Sequence, residues 1–243
     1  MTTLTKIIVS IILTLLLFSC EFNSGWNSGV AGDRNVITKE QSLNDTFNEI
    51  HVSRGLDVYL TQGSSDRVVI EADGNLHDII LVEVNNNVLK ITAEENIRSA
   101  ASKKVLVNFK NVDKITATSG SDIYSNNTIK VDNLSLETTS GSDMQLEIET
   151  QYLNCLSTSG SDLELKGRAE TLKAEANSGS DIDAGDLLAE KSTVKATSGA
   201  SVTVNSSKEL IAKANSGGDV TYYGNPERLE KSKGVSGGII SKR

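Results

Sequence analysis

The pentapeptide Thr118-Ser119-Gly120-Ser121-Asp122 returns as Thr139 to Asp143, Thr158 to Asp162, Asn177 to Asp181, Thr197 to Ser201 and Asn215 to Asp219. Its Ser-Gly pairs begin at Ser119, Ser140, Ser159, Ser178, Ser198 and Ser216, with a weaker copy at Ser236, so the successive gaps are 21, 19, 19, 20, 18 and 20 residues. A period in this range restricts the chain to a repeat architecture, in which each unit buries its apolar face against its neighbours.

Aligning the copies on that serine identifies the repeat. Four residues after it stand Ile123, Met144, Leu163, Ile182, Val202, Val220 and Ile240, all apolar. Two residues before it stand small residues such as Ala117, Thr138, Ser157 and Ala176, and six before it Leu134, Leu153, Leu172 and Leu210 recur. Inward positions therefore alternate with polar ones at a period of two on both sides of the turn, which is strand patterning. Short strands and turns repeated every ~20 residues, with like residues kept in columns, predict an all-β fold: a single-stranded right-handed parallel β-helix whose coils stack at ~4.8 Å. The leucine-rich-repeat signature is absent. Six intervals give a rod of about 29 Å from Ser119 to Ser236. Cys155 falls in an apolar column (Ile115, Leu136, Cys155, Ala174), where a cysteine acts as a small hydrophobe.

Ahead of the repeat, "LDVYLTQGSSDRVVIEAD" alternates on either side of Gly63 to Asp66, and "LVEVNNNVLKIT" alternates around Asn85 to Asn87. Both read as hairpins or short adjacent strands, expected to pair onto the first coil and cap it. "NLHDII" leaves room for one helical turn at most. His51 and His77 lie outside the periodic region and read as surface or capping residues.

The first residues are a targeting segment. Lys6 precedes an apolar run, Ile7 to Cys20, that is short for a membrane span and has the form of a secretory leader. Leu17-Phe18-Ser19-Cys20 resembles a bacterial lipobox, which makes Cys20 the expected lipidation site and membrane anchor. The expected organisation is a leader over 1–19, a Gly/Ser/Asn-rich flexible tether over 20–35, and one solenoid domain over 36–243, β-rich to residue 111 and regular from 112. With Cys20 acylated, Cys155 has no disulfide partner. The formal charge is −8, and loss of Lys6 with the leader takes it one unit lower to −9, which argues against nucleic acid and against electrostatic docking on anionic lipid.

"GLDVYLTQG" (Gly55 to Gly63), "VVIEADGNLHDIILVEV" (Val68 to Val84), "VLKI" (Val88 to Ile91) and the serial "SGSD" turns resemble the putative auto-transporter adhesin, head GIN domain family, over about Asn44 to Glu230. The resemblance implies a secreted or lipid-anchored envelope protein of β-helical fold, here on the outer membrane, and adhesion or glycan binding. It carries no catalytic motif. The last copies, "SGAS" and "SGGD", depart from the turn pattern.

Stacked coils would align Asp122, Asp143, Asp162 and Asp181, with Ser201 interrupting and Asp219 resuming. Neighbouring carboxylates ~5 Å apart repel by about 1 kcal/mol in water, so something must offset them. The preferred reading is that each aspartate accepts hydrogen bonds from turn N–H groups. A calcium ladder is the alternative, although one aspartate per coil falls short of the Gly-Gly-x-Gly-x-Asp nonapeptide. No other cofactor and no metal ligand set is expected. The adjoining Thr118, Thr139, Thr158, Asn177, Thr197 and Asn215 read as a hydrogen-bonded ladder. Three functions remain: a non-catalytic surface for glycan or protein partners, a polysaccharide-processing enzyme, or a structural component that stacks through its ends. The first is preferred, because the short regular turns carry no acid-base constellation.

Overall fold

The computed structural model describes residues 29–242, so the leader and Cys20 lie outside the described residues. The chain enters through β1 (Val30–Ala31), β2 (Val36–Gln41), β3 (Glu49–Val52) and β4 (Asp57–Gln62). It continues through β5 (Arg67–Asp73), a single 3₁₀ turn (Gly74–Asp78), β6 (Ile80–Asn85), β7 (Val88–Ala93), β8 (Ile97–Ser99) and β9 (Lys103–Phe109). The coils follow in β10 (Lys114–Thr118), β11 (Asp122–Ser125), β12 (Ile129–Thr139), β13 (Asp143–Thr158), β14 (Asp162–Asn177), β15 (Asp181–Thr197) and β16 (Ser201–Asn215). They end in β17 (Asp219–Tyr223), β18 (Arg228–Lys233) and β19 (Gly238–Ser241). Seventeen of these strands form one continuous sheet, wound as a parallel β-solenoid.

The expected columns are the core. Ile123, Met144, Leu163, Ile182, Val202 and Val220 are paired in register and buried. Cys155 stands between Leu136 and Ala174, 1% exposed, and burial pushes its thiol far up. The turn that starts each coil is two successive left-handed residues, for example Ser159 (φ 61) and Gly160 (φ 67). That pair turns the chain through a corner at low cost only because the second member has no Cβ.

One further coil was hidden in the N-terminal part. β3 and β4 join through Arg54 (φ 62) and Gly55 (φ 71), the same left-handed pair without the serine. β3 pairs in parallel with β10, and β4 with β11. His51 therefore belongs to a coil, opposite Thr116 and Lys90, and does not lie outside the repeat. It is half-buried, and burial first, then Lys90 and Lys114, hold its pKa below the usual imidazole value. The chain then leaves to build the cap and returns. β7 and β9 lie on the far side of β3 and β4, so the cap stacks in parallel on a coil that precedes it in sequence.

Two local expectations are corrected. β4 and β5 do not form a hairpin: β9 lies between them, parallel to β4 and antiparallel to β5. β6 and β7 do form the second hairpin, with Asn86 (φ 50) and Asn87 (φ 65) supplying its left-handed turn. At the last coil the alignment on Ser236 is one residue out. Ile239, not Ile240, pairs with Val220 and is buried, whereas Ile240 is 56% exposed. Residues 233–241 are that coil's own wall and do not fold over it.

Residues 29–35 of the expected tether belong to the fold. From Gly29 on the chain is docked: β1 pairs with β8, and Asp73, fully buried, accepts the N–H groups of Arg34, Ala101 and Ser102. Burial raises the Asp73 pKa, but these N–H donors outweigh it and the net shift is downward.

Candidate functional site

The aspartate column exists as expected and is longer. Asp57 pairs with Asp122, Asp122 with Asp143, Asp143 with Asp162 and Asp162 with Asp181; Ser201 interrupts and Asp219 follows. Asp57 escaped notice because its coil lacks the Ser-Gly pair. The Asp57 carboxylate meets Lys103 at 3.1 Å, so a lysine from the cap terminates the column. Two residues along, Tyr59 and Tyr124 stack with ring centroids 5.2 Å apart.

The second serine of each turn is the clamp between coils, while Asp162 also accepts the backbone N–H of Asp181 in the next coil. Ser142 Oγ lies 2.8 Å from the carbonyls of Ala117 and Thr139 and accepts the Thr139 N–H. Ser180 Oγ does the same with Ser157, at 2.7 Å, and Asn177. Ser121, Ser142, Ser161 and Ser180 are all fully buried, clamping one coil's turn to the preceding coil. The aspartates point outward and feel each other. Burial first, then Asp57 and Asp143, raises the Asp122 pKa; burial, then Asp143 and Asp181, raises that of Asp162. Among the described residues no three carboxylate, imidazole or thiol groups converge where a metal ion could be held. One rung of the Thr/Asn ladder is a direct bond, Thr158 Oγ1 to Asn177 Oδ1 at 2.7 Å.

A second surface, not anticipated from the repeat, lies where the long strands round another corner. A groove of about 660 Å³ crosses five coils there, from Lys130 in β12 to Asn205 in β16. One wall is the column Lys130, Glu149, Arg168 and Leu188; the other carries Asp132, Gln151, Glu170 and Glu190. Its floor is the backbone between them, where Thr150, Ala169 and Ala189 point inward and are buried. Gly167 makes this corner possible: at φ 111, a Cβ would lie 2.1 Å from the Ile148 carbonyl oxygen. The register slips in β15, which carries extra residues around Gly185 to Leu187 and leaves Leu188 52% exposed. The unequal gaps between Ser-Gly pairs were the available signal, because length varies at this corner and not at the turn.

Two of the groove carboxylates, Glu149 and Glu190, are held ionised. Lys130 bonds Glu149 at 2.7 Å and Lys208 bonds Glu190 at 2.6 Å, and each lysine lowers its partner's pKa. Neither is a protonated acid at neutral pH, as a glycosidase would need. Neither histidine lines the groove; His77 Nε2 lies 3.1 Å from the Ile37 carbonyl in the cap.

The same architecture occurs in solved structures. A putative adhesin from Bacteroides fragilis superposes with a TM-score of 0.82 at 22% identity, covering 88% of this chain and 100% of that one. A protein from Parabacteroides distasonis described as a putative lipid binding protein gives 0.73 at 20% identity, over 88% and 99% of the two chains. A putative adhesin from Parabacteroides merdae gives 0.71 at 20% identity with the same coverage. These likenesses establish the fold. No functionally curated protein matches the sequence. The profile of one family matches residues 46–226, and by that match the chain belongs to the putative auto-transporter adhesin, head GIN domain family.

Proposed function

We propose that the chain is a non-catalytic cell-envelope adhesin, lipid-anchored at Cys20 to the outer membrane, whose corner groove holds an extended glycan or protein ligand. The groove carries this reading: it is a concave surface that runs across five coils, and its floor is rigid because each floor residue belongs to a paired strand. Family membership supports adhesion, and the lipobox-like Leu17 to Cys20 supports the anchor. The ion-paired glutamates count against hydrolysis in the groove.

The test is retention of cells expressing the full chain on surfaces coated with envelope or host polymers. Wild-type cells are expected to be retained, and cells carrying Arg168→Ala with Glu170→Ala are not. Equal retention of both strains sinks the groove as the adhesive surface. Cys20→Ser is expected to move the protein from the membrane fraction to the soluble one; unchanged partition would remove the lipid anchor.

A further inference from the structure

The geometry points to an uncharged glycan strand, lying along the solenoid axis, as the groove's ligand; this rests on the groove being the binding surface. Direction follows from register. Lys130, Glu149, Arg168, Leu188 and Asn205 follow one another coil by coil, a run of about 19 Å at the strand spacing. A linear polymer parallel to the axis meets the same wall at each step, whereas one lying across it meets a single coil.

Charge selects the polymer. The lining holds two cations, Lys130 and Arg168, against four carboxylates, Asp132, Glu149, Glu170 and Glu190, on a chain of net charge −8. A polyanion is repelled by that balance. A polycation gains little, because Glu149 and Glu190 are already paired with lysines and Asp132 accepts Gln151 Nε2 at 3.1 Å. On the central coil exposed Arg168 and Glu170 flank buried Ala169; Arg168 makes no ion pair within bonding distance among the described residues, though Glu149 and Glu190 feel its charge, as Lys208 feels that of Glu170. A guanidinium offers donors in a fork and a carboxylate offers acceptors, and together they bond neutral hydroxyls from both sides. Exposed Leu188, next to Arg168 in its column, supplies an apolar contact for the C–H face of a sugar ring.

A polypeptide is disfavoured at the same place. Extended peptides bind sheets by adding to an open edge. The backbone of the groove floor is already paired to the coils above and below.

The experiment is binding of the full chain, in detergent micelles, to immobilised neutral dextran, laminarin and mannan, anionic polygalacturonate, cationic chitosan and an unstructured polypeptide. At least one neutral polymer is expected to be retained, with affinity little changed between about 0.05 and about 0.5 M salt. Arg168→Ala with Glu170→Ala is expected to weaken that binding about tenfold or more, with circular dichroism and melting unchanged. Retention of a charged polymer or the polypeptide alone, lost in the double variant, overturns the ligand class and leaves the groove standing. Neutral binding that the double variant does not alter overturns the site, and no retention of any polymer overturns the inference outright.

Discussion

Two buried serines show how position decides the sign of one chemical group. Ser161 Oγ lies 2.8 Å from the Thr158 carbonyl and contacts Thr138 Oγ1, so Ser161→Ala is expected to destabilise by about 1–2 kcal/mol by leaving buried groups unpaired. Ser192 stands in the leucine column between Leu172 and Leu210, 2% exposed, and its hydroxyl has no partner among the described residues. Ser192→Ala is expected to stabilise by about 1 kcal/mol, since an orphaned hydroxyl leaves the core; urea melts of both variants check the opposite signs. The aspartates divide likewise. Asp73 has a lowered pKa, so its contribution is present above the ordinary carboxylate value, about 3.9, and is lost as pH falls through the folded value. Asp122 and Asp162 have raised values, so they weaken the fold as pH rises from about 3.9 through those values. Asp122→Asn with Asp162→Asn should therefore raise the melting temperature at pH 7 and low salt, on the order of 0.5 kcal/mol for exposed charges, and the gain should vanish near pH 3. A constant gain at both pH values would mean that repulsion is not its source.

At the scale of elements, the regular coils were legible in the sequence because one residue pattern, Ser-Gly-Ser-Asp at a fixed period, encodes turn, clamp and inward column together. The clamping serine went unread beside the aspartate because Ser and Asp are adjacent and both cap turns; only the direction of the side chains separates them. The coil of β3 and β4 was illegible because Arg54-Gly55 reaches the same backbone angles without the serine. The false hairpin between β4 and β5 arose because alternation reports that a strand exists and is silent about its partner. The corner at Gly167 was invisible for a related reason, since one glycine in a strand does not announce which backbone it approaches. Gly167→Ala is expected to cost upwards of about 3 kcal/mol, the scale of severe core strain, because its Cβ would collide with the Ile148 carbonyl. A thermal melt measures the cost, and a loss below about 0.5 kcal/mol, the scale of surface substitutions, would contradict the close approach.

The whole molecule is a rod with one end closed by antiparallel strands and the other formed by a coil whose β18 is exposed throughout. In a solenoid each coil contacts only its neighbours, so stability is distributed along the rod and falls toward an uncovered end. Amide exchange should accordingly be slowest in β13 to β15 and fastest in β18 and β19; uniform protection along the rod would indicate cooperative unfolding as one unit. The rod presents two faces that sequence alone does not rank: the aspartate column, conspicuous in the repeat, and the groove, visible only once the coils are stacked. We propose binding in the groove. The decisive measurement compares polymer binding by the full wild-type chain, by Arg168→Ala with Glu170→Ala in the groove, and by Asp143→Asn with Asp162→Asn in the aspartate column. Loss of binding in the groove variant alone is the predicted result, and loss in the aspartate variant with the groove variant unaffected would contradict it.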